Sequence, residues 1–333
     1  MGIKYGIIGC GLIGDKRASA ITACEASKLA GTFDIDQERS EKLAAKYNTT
    51  TFNSVESLLA DRTIQAVVVA TTNNKLAEIT LQCIKAGKHV LVEKPAATSY
   101  KELKHVCKYW NELPEADRPL VRVGFNLRLH RAFLLCDSII PELGPLMHIR
   151  ARYGHGGRPD YDKEWRANKE ISGGGELIDQ GVHLIDLAAK YLGRFDAING
   201  CLTASYWNMS DDNAFMLLQT KTGQVAWLHA SCTEWKNTFS FEIFGKNGKL
   251  QIDGLCGSYG TERLTYYKML TTMGPPDTTI WEFPTPDNSW KAEINSFSKD
   301  IMSKTQPQPN LTNALEVLRI VQKLQELQSS KTC

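Results

Sequence analysis

The 333-residue sequence has no window approaching the roughly 20 consecutive apolar residues that a membrane-spanning helix needs, so no span is expected and the chain reads as cytoplasmic. Its nine cysteines, at 10, 24, 83, 107, 136, 201, 232, 256 and 333, contain no CxxC pair. Neither a zinc ribbon nor a disulfide framework is therefore expected; reduced, mostly buried thiols are. Charge of one sign is also scarce. Thirty-nine basic and 37 acidic residues are interspersed and leave a formal +2, which gives nucleic acid no footprint to bind. The opening MGIKYGIIGCGLIG lacks a basic leader and a small-residue cleavage site, and Gly6 stands where a myristoylation signal carries Ser or Thr. It reads as a buried strand. Internal repeats and low-complexity tracts are absent as well.

What is present fits a folded chain of two domains: 42% hydrophobic and 23% charged residues over a length that exceeds one ordinary core. IKYGIIG, KLAGTFD, QAVVVAT and KHVLVEK read as strands that alternate with helical stretches such as DQERSEKLAAKY and KLAEITLQCIKAG. Such alternation predicts a parallel sheet covered on both faces. The rhythm changes after LVRVGFN. From about 195 to 285 strand-like stretches follow one another, separated by turns such as KTG and KNG, as in an antiparallel sheet. The expected division is 1-125, a dinucleotide-binding domain, and 126-333, an α+β domain with a large, open, predominantly antiparallel sheet. Two helices near 290 to 303 and 312 to 328 close the chain, the C-terminal one placed to pack back on the first domain.

Gly9, Gly11 and Gly14 spell GxGxxG as GCGLIG, with Leu12 and Ile13 inside the motif, between the first strand and a helix. In that setting the glycines permit a tight turn, close approach of backbone to a pyrophosphate, and helix packing. Asp34, 20 residues on at the end of the second strand, can accept both ribose hydroxyls of an adenosine. NAD is thus favoured; Arg39, which would accommodate a 2′-phosphate, keeps NADP open. As a mere helix cap, Asp36 fits better than Asp34. Thr71 and Asn73, in ATTNN, lie at the carboxyl edge of the sheet and can reach the ribose, although a helix cap is an equally good reading of Asn73 or Asn74.

VLVEKPAAT places Glu93, Lys94 and Pro95 directly after a buried strand, where the proline fixes the direction of Lys94. In GGGELIDQGVHLID, Asp179 and His183 stand one helical turn apart on one face, with Asp186 further along it. Ile178, Val182, Ile185 and Ala189 form the apolar stripe behind them. A zinc reading of the Asp–His pair lacks a third ligand and the glutamate of HExxH, so no metal is expected.

With GxGxxG, Glu-Lys-Pro and the Asp–His helix in this order, the chain resembles the glucose–fructose oxidoreductase, inositol dehydrogenase and rhizopine catabolism (Gfo/Idh/MocA) family over nearly its whole length. The resemblance implies a Rossmann domain and an NAD- or NADP-dependent dehydrogenase or reductase acting on a secondary hydroxyl or keto carbon of a sugar, cyclitol, sugar acid or nucleotide sugar. It carries catalytic roles onto Lys94, Asp179 and His183. Imidazole suits proton exchange with a carbinol near neutral pH, a lysine ammonium stabilises alkoxide charge, and Asp179 orients His183 or binds a neighbouring hydroxyl. Glu93 and Lys94 are also expected at the cofactor.

Arg128, in VGFNLRLHRAF, aligns with an arginine of the family's second domain and is expected either at substrate or in an interdomain salt bridge. The glycine-rich, aromatic and basic stretch YGHGGRPDYDKEWRANKEISGGG offers Tyr153, Arg158, Trp165 and Arg166 as substrate contacts, and its arginines suggest a carboxylate or phosphate on the sugar. The chain departs from the family where relatives read Thr-Pro-Asn-His: it has Thr71, Thr72, Asn73 and Asn74. Related proteins pair their open sheets, which implies a homodimer or homotetramer. An NAD-dependent, redox-assisted glycosidase and a cofactor-binding sensor without chemistry are the competing functions.

Overall fold

The structure, a computed structural model, describes residues 2–329; Met1 and 330–333, Cys333 included, lie outside the described residues. The chain divides into two compact units. The first comprises the chain up to Asn126 together with Trp290–Leu315, and the second Leu127–Ser289 with the chain from Glu316 onward.

In the first unit the elements run β1 (Ile3–Ile8), α1 (Leu12–Thr22), β2 (Ser27–Phe33), α2 (Gln37–Tyr47), β3 (Thr50–Thr51), α3 (Val55–Ala60), β4 (Ala66–Val69), α4 (Asn73–Lys85), β5 (His89–Glu93), α5 (Tyr100–Glu112) and β6 (Val121–Gly124). The six strands are all parallel, in the order β3-β2-β1-β4-β5-β6. This is the doubly wound arrangement whose crevice lies at the carboxyl ends of the central strands. β4, AVVV, is buried at every residue, as a strand covered on both faces must be. Local chemistry sets the helix boundaries. The Asp36 carboxylate accepts the Arg39 amide at the start of α2, and Asn48 ends that helix in the left-handed region.

A helix from the far end of the chain, α9 (Ser289–Ser303), packs on this sheet: Ile294, Phe297 and Ile301 join the core of Tyr5, Ile7, Val68 and Leu91. A buried ion triad ties it further. Arg17 of α1 meets Glu93 at 2.6 Å and Glu293 at 2.6 Å, with its guanidinium over the Trp290 ring.

The second unit contains α6 (Arg131–Ile139), β7 (Leu146–Gly154), α7 (Lys169–Ser172), a π-helical turn (Leu177–Gly181), α8 (Val182–Leu192), seven strands, and most of α10 (Leu311–Ser329). The strands are β8 (Phe195–Thr203), β9 (Asn213–Thr220), β10 (Val225–Ser231), β11 (Thr238–Gly245), β12 (Gly248–Asp253), β13 (Glu262–Lys268) and β14 (Asp277–Phe283). With β7 they form one eight-stranded sheet, β14-β13-β12-β11-β7-β10-β9-β8. Every neighbouring pair is antiparallel except β10 with β7. α6 and α8 pack on one face. Along β9 the residues alternate: Ala214, Met216 and Leu218 are buried, whereas Phe215, Leu217 and Gln219 are exposed. α10 is held to this unit by Arg319, which donates to the Phe195 carbonyl, and by Gln325, which donates to Gly173.

All eight described cysteines are free thiols, seven buried and Cys201 exposed. Among the described residues, no helix is long and apolar enough to cross a membrane, and no group of three or more His, Cys, Asp or Glu side chains could hold a metal ion.

Candidate active site

In the first unit the β1–α1 turn carries the glycine motif. A Cβ on Gly14 would overlap the Gly9 carbonyl, so only glycine lets α1 start this close to β1. Gly11 caps α1 without any side-chain bond to its amides, and the space a Cβ would fill above it is open. An uncapped helix N-terminus with open space over it fits a pyrophosphate. Leu12 is exposed and Ile13 half-buried at the same turn. The Asp34 carboxylate accepts from the Cys10 amide at 2.6 Å and the Asp36 amide at 2.9 Å, and so stands fixed beside the glycine loop at the end of β2. Arg39 is exposed and pairs with Asp36 at 3.0 Å. These residues fit a dinucleotide.

Thr71 and Asn73 lie after β4. Thr72, not Asn73 or Asn74, occupies the cap position of α4, and Asn73 is the first helical residue and buried. Glu93, expected at the cofactor, has its carboxylate in the ion triad with Arg17. Lys94 follows it, half-buried, in a turn closed by the Ala96 amide donating to the Glu93 carbonyl at 3.0 Å; the Lys94–Pro95 peptide is cis.

In the second unit the helix carrying Asp179 and His183 is not uniformly α. It begins with the π turn Leu177–Gly181 and becomes α-helical at Val182. π turns concentrate at functional sites, and this one carries Asp179, with His183 in the α-helical turn that follows it. Its start is held by Asp211: one carboxylate oxygen accepts the Leu177 amide at 2.7 Å, the other the Gly175 amide at 3.0 Å, and the Asp211 carbonyl accepts the Glu176 amide at 3.0 Å. Ile178, Val182 and Ile185 are buried, and Ala189 is half-buried.

Around His183, which is buried, the Tyr153 ring sits edge-on at 6.1 Å between centroids, and Tyr259 lies 5.5 Å from Tyr153. Burial, with Tyr259, Asp179 and Glu176 close by, raises the Tyr153 phenol well above its ordinary value, so it stays a hydrogen-bond donor. Asp179 is half-buried and meets Arg166 Nε at 3.4 Å.

The arginines marked from the sequence have carboxylate partners. Arg128 forms a two-bond fork with Asp186 of α8, at 2.7 and 2.6 Å, within the second unit. Arg158 makes the same kind of fork with Glu164, at 2.6 and 2.7 Å, and lies over Tyr161. Arg166 lies between Glu164 and Asp179, stacked on the half-buried Trp165.

Three acids not singled out from the sequence complete the surroundings: Glu176, Asp211 and Asp212, all buried. Glu176 faces His155 Nε2 at 3.5 Å. Because the Gly157 amide donates to His155 Nδ1 at 2.9 Å, the ring proton resides on Nε2, toward Glu176. One signal was available. Glu176 interrupts an apolar face of GGGELID, where a carboxylate is out of pattern.

Comparison with known proteins bears on the family and the fold. A family model described as "Oxidoreductase family, NAD-binding Rossmann fold" matches residues 3–116, and one described as "GFO/IDH/MocA C-terminal domain" matches residues 141–251. The chain is 25% identical to the scyllo-inositol 2-dehydrogenase (NADP(+)) IolW of Bacillus subtilis, covering 99% of this chain and 94% of that protein. It is 29% identical to inositol 2-dehydrogenase 2 of Saccharopolyspora erythraea over 67% of this chain, and spans 65% of that relative's length. Among solved structures, a levoglucosan dehydrogenase in complex with NADH and levoglucosan shares the fold, with a TM-score of 0.86 at 22% identity over 98% of this chain and 97% of that one.

Proposed function

Because the chain belongs to the Gfo/Idh/MocA family of oxidoreductases, with its NAD-binding Rossmann domain, we propose that it is a dehydrogenase acting on a secondary hydroxyl of a neutral sugar or cyclitol. NAD, when bound, supplies the hydride acceptor. Gly9, Gly11, Leu12, Ile13 and Gly14 would hold its pyrophosphate and Asp34 its ribose, with Thr71 and Asn73 near the same edge. His183 takes the hydroxyl proton, Lys94 stabilises the alkoxide, and Asp179 fixes a neighbouring hydroxyl. Tyr153, a neutral phenol beside His183, donates to the sugar. The observation that carries the reading is the π turn that carries Asp179 and leads into His183, pinned by Asp211, in a chain whose other unit carries the uncapped glycine turn.

Two further choices follow from charge. NAD is preferred over NADP, because Asp34 would face a 2′-phosphate with like charge and Arg39 is paired with Asp36. A neutral substrate is preferred over a sugar acid or nucleotide sugar, because Arg128, Arg158 and Arg166 already face Asp186, Glu164 and Asp179. A second copy of the chain is the expected partner for the second sheet, whose exposed face carries Phe215, Leu217 and Trp227 side by side.

The test is absorbance at the nicotinamide band with NAD or NADP against neutral sugars, cyclitols and sugar acids. Net reduction with a neutral member supports the reading. Tight cofactor without net reduction turns the assignment toward a redox-assisted hydrolase or a sensor.

A further inference from the structure

Three connections of the second unit emerge at one end of its sheet. Gly154 pairs with Ser231 and with Thr238, Ser231 with Asn213, and Asn213 with Thr203, so the segments after β7 and β10 and the β8–β9 loop lie together. The π turn that carries Asp179 joins them through Asp211. On these connections stand two large aromatic side chains with no place in the chemistry above. Tyr206 and Trp235 are each 64% exposed, with ring centroids 4.8 Å apart and planes at 82°.

Exposed aromatics on mobile loops are unremarkable; these are held. The Asp212 carboxylate accepts the amides of Ser205, Tyr206 and Trp207 at 2.8, 2.6 and 3.2 Å, which fixes the loop under Tyr206. Trp207 packs edge-on against Tyr206 and donates its indole N–H to the Cys232 carbonyl at 3.0 Å, joining this loop to the β10–β11 turn. That turn is tied to the end of β7 by the Glu234 amide, which donates to the His155 carbonyl. Gly156 lets it come close, since a Cβ there would press on the Trp235 backbone. Trp235 itself has φ +55°, a conformation a bulky residue rarely adopts, and its indole remains in water. The fold therefore holds an L-shaped aromatic corner open to solvent, in place before any ligand arrives.

We propose that Tyr206 and Trp235 form a second sugar subsite, so that the substrate is a glycoside of at least two rings: one ring at Asp179 and His183, the next against this corner. The inference rests on the dehydrogenase reading for the first ring. One face of a pyranose presents only C–H groups, which carry slight positive charge and match the negative face of an aromatic ring, while its hydroxyls stay in water at the rim. A charged occupant is disfavoured because the nearby arginines, Arg158 and Arg166, already have acid partners. The corner lies on the same three connections as Tyr161 and Trp207, whose rings are 5.6 Å apart and lead back toward His155 and the π turn.

The experiment is a panel of glucose, cellobiose, maltose, lactose and sucrose, followed by isothermal titration calorimetry on the full chain with NADH present and by NAD reduction. Tyr206→Ala, Trp235→Ala and the ring-retaining Trp235→Phe are compared with the parent. The expected results are saturable binding of at least one disaccharide that Trp235→Ala abolishes and Trp235→Phe retains, and a disaccharide-to-glucose kcat/KM ratio lowered roughly ten-fold by either alanine variant. Binding of a disaccharide that depends on Trp235 but gives no NAD reduction keeps the subsite and removes the dehydrogenase reading. Reduction of NAD with an unchanged ratio in the variants keeps the dehydrogenase and overturns the subsite. No disaccharide response anywhere in the panel overturns it too, as does an alanine variant whose only change is its mass in solution, which would mark a subunit contact.

Discussion

Asp211 and Asp212, adjacent in the chain, turn their carboxylates to different elements: Asp211 holds the Gly175 and Leu177 amides of the π turn, and Asp212 the amides of Ser205, Tyr206 and Trp207. A single peptide bond thus couples the turn that presents Asp179 to the loop that presents Tyr206. Both acids are buried and each accepts several N–H groups, the arrangement that makes a carboxylate a rigid anchor.

Removing the first anchor should disturb chemistry more than binding. In Asp211→Ala two amides lose charge-assisted bonds, each worth about 1.5–3 kcal/mol, and the π turn relaxes. We expect kcat to fall at least ten-fold with KM changed much less, and Asp211→Asn to recover part of it. Steady-state kinetics decide; a loss confined to KM contradicts the positioning role.

Asp211 also predicts a pH dependence of stability. Burial foremost, opposed by the Leu177 and Gly175 amides and reinforced by Glu176 and Asp212, lifts its carboxyl from 3.8 to about 6. The folded chain then holds this proton more tightly than the unfolded one. Its contribution to stability is complete below about pH 4 and lost as pH rises through about 6, a change of about 3 kcal/mol. Urea unfolding of the parent and of Asp211→Asn should show the difference between them shifting by that order from pH 4 to pH 7. A constant difference rules the titration out.

The NAD preference rests on Asp34. Asp34→Ala removes the carboxylate that the Cys10 and Asp36 amides hold at the end of β2. NAD affinity should weaken by about ten-fold, with the preference over NADP narrowed, as measured by cofactor titration. Unchanged discrimination would place the ribose elsewhere.

Arg17 makes a stability prediction. Its guanidinium is fully buried between Glu93 and Glu293, so Arg17→Met leaves two buried carboxylates without it and should destabilise by about 3–5 kcal/mol. Adding Glu93→Gln and Glu293→Gln should restore part of the urea midpoint. No recovery would mean that packing on Trp290, rather than charge, dominates.

Much of this was legible in the sequence because local pattern dictates it. Apolar strands and charged helices alternate up to about residue 125, and β9 and β10 show the two-residue alternation of a sheet with one covered face. Asp36 reads as a cap and is one. The illegible parts depend on which groups meet across the fold. Nothing in β7 or β10 announces their parallel pairing. The π turn leaves no mark in a periodicity of 3.6. Arg128, Arg158 and Glu93 carry chemistry suited to ligands, and only the folded chain gives them Asp186, Glu164 and Arg17. Asp211 and Asp212 look like loop residues because their partners are backbone amides, which the sequence does not distinguish.

The most direct test of the account is the rate of NAD reduction by the purified protein with a responsive neutral sugar, set beside His183→Ala and Lys94→Ala. The account predicts measurable turnover that falls by about two orders of magnitude or more in each variant while NADH binding persists in His183→Ala. Undiminished turnover in His183→Ala, or no reduction with any neutral sugar or cyclitol, would contradict it.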